Sequence, residues 1–168
     1  QEAVSIGIDD TAQEVFNAVT GAAARALERV LPALIAGTAP HIPQDLSQGG
    51  YFRGRKAEDG RIDFAWGGVR IHNFVRALTR PYPGAFADIG DKRILIWRTG
   101  LEPLGDKGLD RIPAENPLPP TLFEKDGKLV LRCADGVRLR IREMEVDGAP
   151  VDAPGFARTF GGSAIQVA

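Results

Sequence analysis

The chain has 168 residues, 43% of them hydrophobic and 26% charged, with a formal net charge of −1 at pH 7. That suffices to bury one good core, or a small domain with an appendage, and it excludes a polyanion binder by overall charge. The single cysteine, Cys133, excludes an internal disulfide, and no apolar run reaches the roughly 18 residues a membrane span needs.

No secretory signal is visible, so a cytoplasmic chain is expected. The chain opens at Gln1 rather than Met, already inside an alternating Val4-Ile6-Ile8 pattern, a start expected of a cut chain. The charge is uneven. Residues 1–50 carry two bases and six acids. Residues 51–80 carry seven bases (Arg53, Arg55, Lys56, Arg61, Arg70, Arg76, Arg80) against three acids (Glu58, Asp59, Asp63). Only segments of the chain are therefore suited to an anionic partner.

In chain order, residues 3–8 read as a short strand. Asp10 reads as a helix N-cap, with Gln13 completing a capping box. Val15, Val19, Leu27, Val30 and Leu34 then keep a helical rhythm that Gly37 ends, with Pro32 expected to kink the last turn. A helix with so long an apolar stripe and one short strand beside it needs a partner, and self-association through it is expected. Residues 38–64, rich in Pro and Gly, read as a linker loop. A second helix is expected near 65–79, stopped by Pro81. The pattern then turns to period two: Arg93–Thr99, 128–133, 137–143 and a further short run at 144–147 read as strands. Residues 102–120 read as a loop. Asp126-Gly127, Asp135-Gly136 and Asp147-Gly148 are hairpin signals at about ten-residue spacing, which predicts a small antiparallel sheet or barrel.

Few residues are equipped for chemistry. His41, His72 and Cys133 supply no metal-ligand spacing, and no nucleophile elbow or nucleotide-binding glycine loop occurs. His72 reads as a satisfied or solvated helix residue, with a functional role as the alternative. Glu58, Asp59 and Asp63 read as a turn whose acids pair with Arg53, Arg55 and Arg61, and paired carboxylates for acid–base work are the alternative. Arg138, Arg140 and Arg142 alternate with Val137, Leu139 and Ile141, so three guanidinium groups line one strand face. That face is either solvated or an anion and RNA surface, since arginine forks match phosphate oxygens.

Several motifs occur in a fixed order: Pro43-Gln44-Asp45, Tyr51-Phe52, Gly54-Arg55-Lys56, Glu58-Asp59-Gly60, Ile62-Asp63, Val75-Arg76-Ala77 and Pro81-Tyr82-Pro83-Gly84-Ala85-Phe86. With Asp10-Thr11-Ala12 opening the first helix, the set resembles the second half of the folate-dependent formyltransferases, the methionyl-tRNA and amino-arabinose sugar enzymes. The resemblance implies an α+β chain. Residues 1–37 would be the strand and long helix ending a Rossmann-like catalytic domain, 38–64 the linker, and 65–168 a helix plus a small antiparallel OB-like β-barrel. It also implies a parent enzyme that moves a formyl group from 10-formyltetrahydrofolate to a primary amine on methionyl-tRNA or an amino-sugar nucleotide. The family's catalytic Asn, His and Asp lie in an Asn-x-His-x-Ser-Leu-Leu-Pro segment and a downstream Asp-x-Gly segment, and neither is present here. No catalytic residue is carried over, no cofactor is expected on this chain alone, and the missing catalytic domain is the expected partner. A stand-alone tRNA-binding or interaction module is the alternative. The substrate-binding expectation rests on Tyr51, Arg53, Arg55, Lys56 and Arg61, as an ordered lip that Tyr51 and Phe52 pin apolar-side down.

Overall fold

The computed structural model describes residues 1–102 and 119–168, so most of the 102–120 loop expectation lies outside the described residues. The chain divides into two compact units, Gln1–Lys56 and Ala57–Ala168.

The first unit is built on helix α1, Ala12–Ile35. Its N-cap is Thr11 rather than Asp10: the Glu14 amide donates to Thr11 Oγ1 at 3.4 Å and the Thr11 amide to Glu14 Oε2 at 2.7 Å. The expected capping box is thus present one residue later, and Asp10 instead accepts the Gly7 amide at 2.6 Å, closing the turn before the helix. Residues 3–8 are not a strand, because alternation alone leaves backbone groups unpaired and no described strand lies alongside to take them. The segment is instead tied to the helix by Glu2, bonded to Arg29 at 2.7 Å and facing Arg25 at 3.5 Å. α1 runs on past Pro32 to Ile35, and Gly37 follows with φ of +68°, the left-handed residue that closes a helix C-terminus. Ala22 is the sole buried residue of α1, while Phe16, Val19, Leu27, Val30, Leu31, Leu34 and Ile35 are exposed.

The second unit pairs an antiparallel sheet with two helices. Its strands are β1 Ala85–Ile89, β2 Lys92–Leu101, β3 Thr121–Lys125, β4 Lys128–Arg132, β5 Arg138–Val146, β6 Ala149–Pro150 and β7 Ala164–Gln166. Helix α2 spans Gly68–Leu78 and α3 Ala153–Phe160. Strand order is β1-β2-β5-β4-β3-β7, with β6 beside β5, so the sheet is a curled half-barrel and no described pairing closes it. The expected runs at 137–143 and 144–147 are one strand, β5, bent where β2 and β5 slip register around Arg98. Two of the Asp-Gly pairs turn tightly: Asp126 and Gly127 (φ 51° and 71°), and Asp147 and Gly148 (φ 50° and 81°), match the twist of the strands they join. β1, β3, β7 and α3 carry weaker sequence signals and were not expected.

The core explains this layout. Ile71 and Val75 of α2, Ile94 and Ile96 of β2, Leu139 of β5 and Phe156 of α3 are fully buried together. Each such side chain contributes about 1.5–3 kcal/mol. Ile62 and Phe64, inside the stretch read as a linker, belong to this core too. α2 starts at a tight approach: a Cβ on Gly68 would stand 2.4 Å from Val137 Cγ1, so only glycine lets the helix seat on the β4–β5 turn. Gly67 offers no side-chain cap, and Asp135 from that turn accepts the Gly68 amide at 2.9 Å instead.

Candidate functional site

Two sequence motifs meet at the edge of the second unit. The Glu58-Asp59-Gly60 turn runs beside the Pro81–Phe86 corner: the Ile62 amide donates to the Phe86 carbonyl at 2.7 Å, and Arg61 bridges Phe86. A Cβ on Gly60 would stand 2.6 Å from the Gly84 carbonyl oxygen, so the approach requires glycine. Arg61 and Arg93 flank the Phe86 ring, at 4.9 and 4.5 Å from its centroid. Both guanidinium groups reach Asp88, Arg61 at 2.6 Å and Arg93 at 2.7 Å. The Arg93 hydrogen bond, then that of Arg61, holds the Asp88 carboxyl down at about 2. Beside them is a cavity of about 240 Å³ with Pro83, Phe86 and Leu95 as its apolar wall.

Arg61 therefore does not supply surplus charge as expected of the lip, because Asp88 already meets it. The expected pairing of Asp63 is also replaced: it accepts the Ala65 amide at 2.9 Å and forms a turn. Tyr51, Arg53, Arg55 and Lys56 belong to the first unit and are exposed. Tyr51 and Phe52 are 108% and 89% exposed, which overturns the expectation that they pin the segment apolar-side down.

His72 is fully buried, with Nδ1 2.8 Å from Thr99 Oγ1, the satisfied role read from the sequence. His41 is exposed in a loop. Among the described residues no group of three or more His, Cys, Asp and Glu could hold a metal ion. Cys133 is buried, and burial followed by the nearby Asp135 charge pushes its thiol up to about 12.

Arg138, Arg140 and Arg142 do share an exposed face of β5. The structure adds two bases that sequence reasoning missed. Arg132 pairs directly with Arg138, and Lys128 lies next to Arg142, one step beyond the Leu129–Ile141 pair. The hairpin turns at Asp126-Gly127 and Asp135-Gly136 carried that register and could have revealed them. A cavity of about 360 Å³ lies nearby, lined by Lys128, Arg140, Arg142, Glu143 and Asp152 together with Leu129, Ile141, Met144 and Val151. Arg80, counted above among the surplus bases, is engaged elsewhere. It bonds Glu143, reaches Glu145 at 2.9 Å and stacks 4.1 Å over Trp97. The Glu143-x-Glu145 alternation was the only signal for that clamp.

Comparison with known proteins identifies the fold and the family. A multiply substituted variant of HypX from Aquifex aeolicus shares the fold, with a TM-score of 0.56 at 18% identity over 93% of this chain. This chain spans 26% of that one's length. The family model for the formyl transferase C-terminal domain matches residues 55–161, taking in α2, α3, β1 to β6 and the Phe86 corner. The chain belongs to the formyl transferase C-terminal domain family.

Proposed function

We propose that the chain is the C-terminal portion of an enzyme that transfers a formyl group from 10-formyltetrahydrofolate to a primary amine, and that it is catalytically silent alone. The match of residues 55–161 to the formyl transferase C-terminal domain carries this reading. On it, residues 1–37, with α1, are the end of a Rossmann-like catalytic domain, and the curled half-barrel belongs to an OB-like domain. The acceptor is methionyl-tRNA or an amino-sugar nucleotide, and the setting is the cytoplasm. Among the described residues no helix is long and apolar enough to cross a membrane.

Neither described cavity of the second unit suits the folate donor. The one beside Phe86, about 240 Å³, is below the usual 300–1,000 Å³ of small-ligand sites. The other, about 360 Å³, mixes five charged residues with Leu129, Ile141, Met144 and Val151 and is at the small end of that range. No step of the transfer is therefore assigned to residues of this chain. Its role is binding: Tyr51, Arg53, Arg55 and Lys56 as a substrate lip, and Arg138, Arg140 and Arg142 as an anion surface. The exposed stripe of α1 supports docking on the remaining catalytic domain, or self-association without it; a strict monomer by light scattering would remove the second role.

The test is a formyl-transfer assay. The chain alone should give no product from 10-formyltetrahydrofolate and an amine above buffer, while a longer chain carrying the Asn-x-His segment should. Transfer by the chain alone, abolished by His72→Ala, refutes the proposal. The alternative, a stand-alone RNA-binding module on the sheet, is favoured by the β5 arginine row and would gain if the longer chain were also inactive.

A further inference from the structure

The cavity beside Phe86 carries charges of both signs that do not meet. Glu58, Arg61 and Arg93 line it with Pro83, Phe86 and Leu95, all of the second unit. Arg61 donates to Asp88 from Nη2 alone, and Arg93 from Nε and Nη2, so Nη1 of each still has hydrogens to give. Glu58 is exposed, and its backbone carbonyl accepts the Arg61 amide at 3.3 Å. Among the described residues, however, no hydrogen bond or ion pair joins its carboxylate to either arginine. Two guanidinium groups set against Glu58 and Asp88 leave no formal charge in excess. A phosphate would meet two carboxylates there, and a diamine two guanidinium groups. A ligand that is neutral overall and carries both signs meets neither penalty.

We propose that this cavity binds one small zwitterion, an α-amino acid with an apolar side chain. Its carboxylate lies on Arg61 and Arg93, its ammonium group on Glu58, and its side chain against Pro83, Phe86 and Leu95. Guanidinium N–H groups pair well with a carboxylate, and an exposed glutamate can turn to meet an ammonium group without leaving a buried partner. Size agrees with this class. At about 240 Å³ the cavity is below the 300–1,000 Å³ of larger ligand sites, which suits a ligand of one amino acid. With its amine held by Glu58, the amino acid is bound here rather than presented for transfer, so the inference stands apart from the formyl-transfer reading.

The experiment is titration of the whole chain with L-leucine, followed by amide NMR shifts. A ligand of this size should bind once per chain at about 1 mM. Two probes separate the contacts: isocaproate is leucine without the amine, and isopentylamine is leucine without the carboxylate. Each should bind about tenfold more weakly than leucine, since each loses one charge-assisted contact. Glycine, which keeps both charges and has nothing to place on Phe86, should also bind more weakly. Glu58→Gln should weaken leucine about tenfold and leave isocaproate unchanged or tighter, a split that a merely structural role would not produce. Lys125→Gln, on β3 and outside the lining, should change neither. Equal binding of leucine and isocaproate, leucine binding unchanged in Glu58→Gln, or no saturable leucine binding overturns the proposal. Formyl transfer by the longer chain is read separately, so the two readings fail independently.

Discussion

Gly68→Ala sets helix propensity against packing. As the first residue of α2, Gly68 has ordinary helical backbone, and alanine there should gain at most about 1 kcal/mol from propensity and reduced chain entropy. Packing opposes this. The added Cβ would meet Val137 Cγ1 at 2.4 Å, Val137 Cβ at 2.6 Å and Cys133 Sγ at 3.3 Å. Ordinary contact begins near 3.4 Å, so the helix start must retreat by about an ångström from a fully built core. Retreat also lengthens the 2.9 Å bond from the Gly68 amide to Asp135. Overpacking of this kind costs about 1–3 kcal/mol and a weakened cap up to about 1 more. The net expectation is destabilisation by about 1–2 kcal/mol, or roughly 4–8 °C in Tm. Both tryptophans, Trp66 and Trp97, lie in the second unit, so a fluorescence melt reports on that unit. A double-mutant cycle sharpens the test. Val137→Ala alone removes two methyl groups, about 1.6 kcal/mol at about 0.8 each. It also removes the 2.4 Å contact with Cγ1 while leaving Cβ at 2.6 Å, so Gly68→Ala in that background should cost less than in the native chain. An unchanged or raised Tm for Gly68→Ala, or strict additivity in the cycle, would refute the packing argument.

Asp88 should report on acid stability. Its folded pKa of about 2 lies below the ordinary 3.8, so the tie to Arg93 and Arg61 stabilises fully above about pH 4 and is lost as pH falls through about 2. Carboxyl NMR should find that titration, and Asp88→Asn should flatten stability between those limits; an Asp88 midpoint near 3.8 would contradict the geometry. Cys133, raised to about 12 by burial and then by Asp135, should resist thiol reagents at pH 8 in the folded chain and react on unfolding. Rapid labelling under native conditions would show that the core around it opens.

The period of the apolar pattern and the Asp-Gly turns are local chemistry, and they were legible, whereas the cap of α1 is Thr11 with Glu14, one residue beyond the Asp10 and Gln13 expected. α1, α2, β2, β4 and β5 lie where those signals put them, within a few residues, because each element's backbone preference acts over one or two turns of chain. The short strands were not legible. β1 and β7 have too few residues to show a period, and they exist because β2 and β3 offer them hydrogen-bonding edges. The site divides in the same way. The alternation Arg138, Arg140, Arg142 is visible in one strand, but the cavity beside it also takes Lys128 and Leu129 from the adjacent strand and Asp152 from a helix cap. Partners were misassigned for the same reason. Arg61 has Glu58 and Asp63 nearby in sequence, yet bonds Asp88, and Arg80 bonds Glu143 and Glu145, both far along the chain. A charge pairs with the acid that the fold brings within hydrogen-bond reach. Sequence determined which groups are available here, and the register of the sheet decided which of them meet.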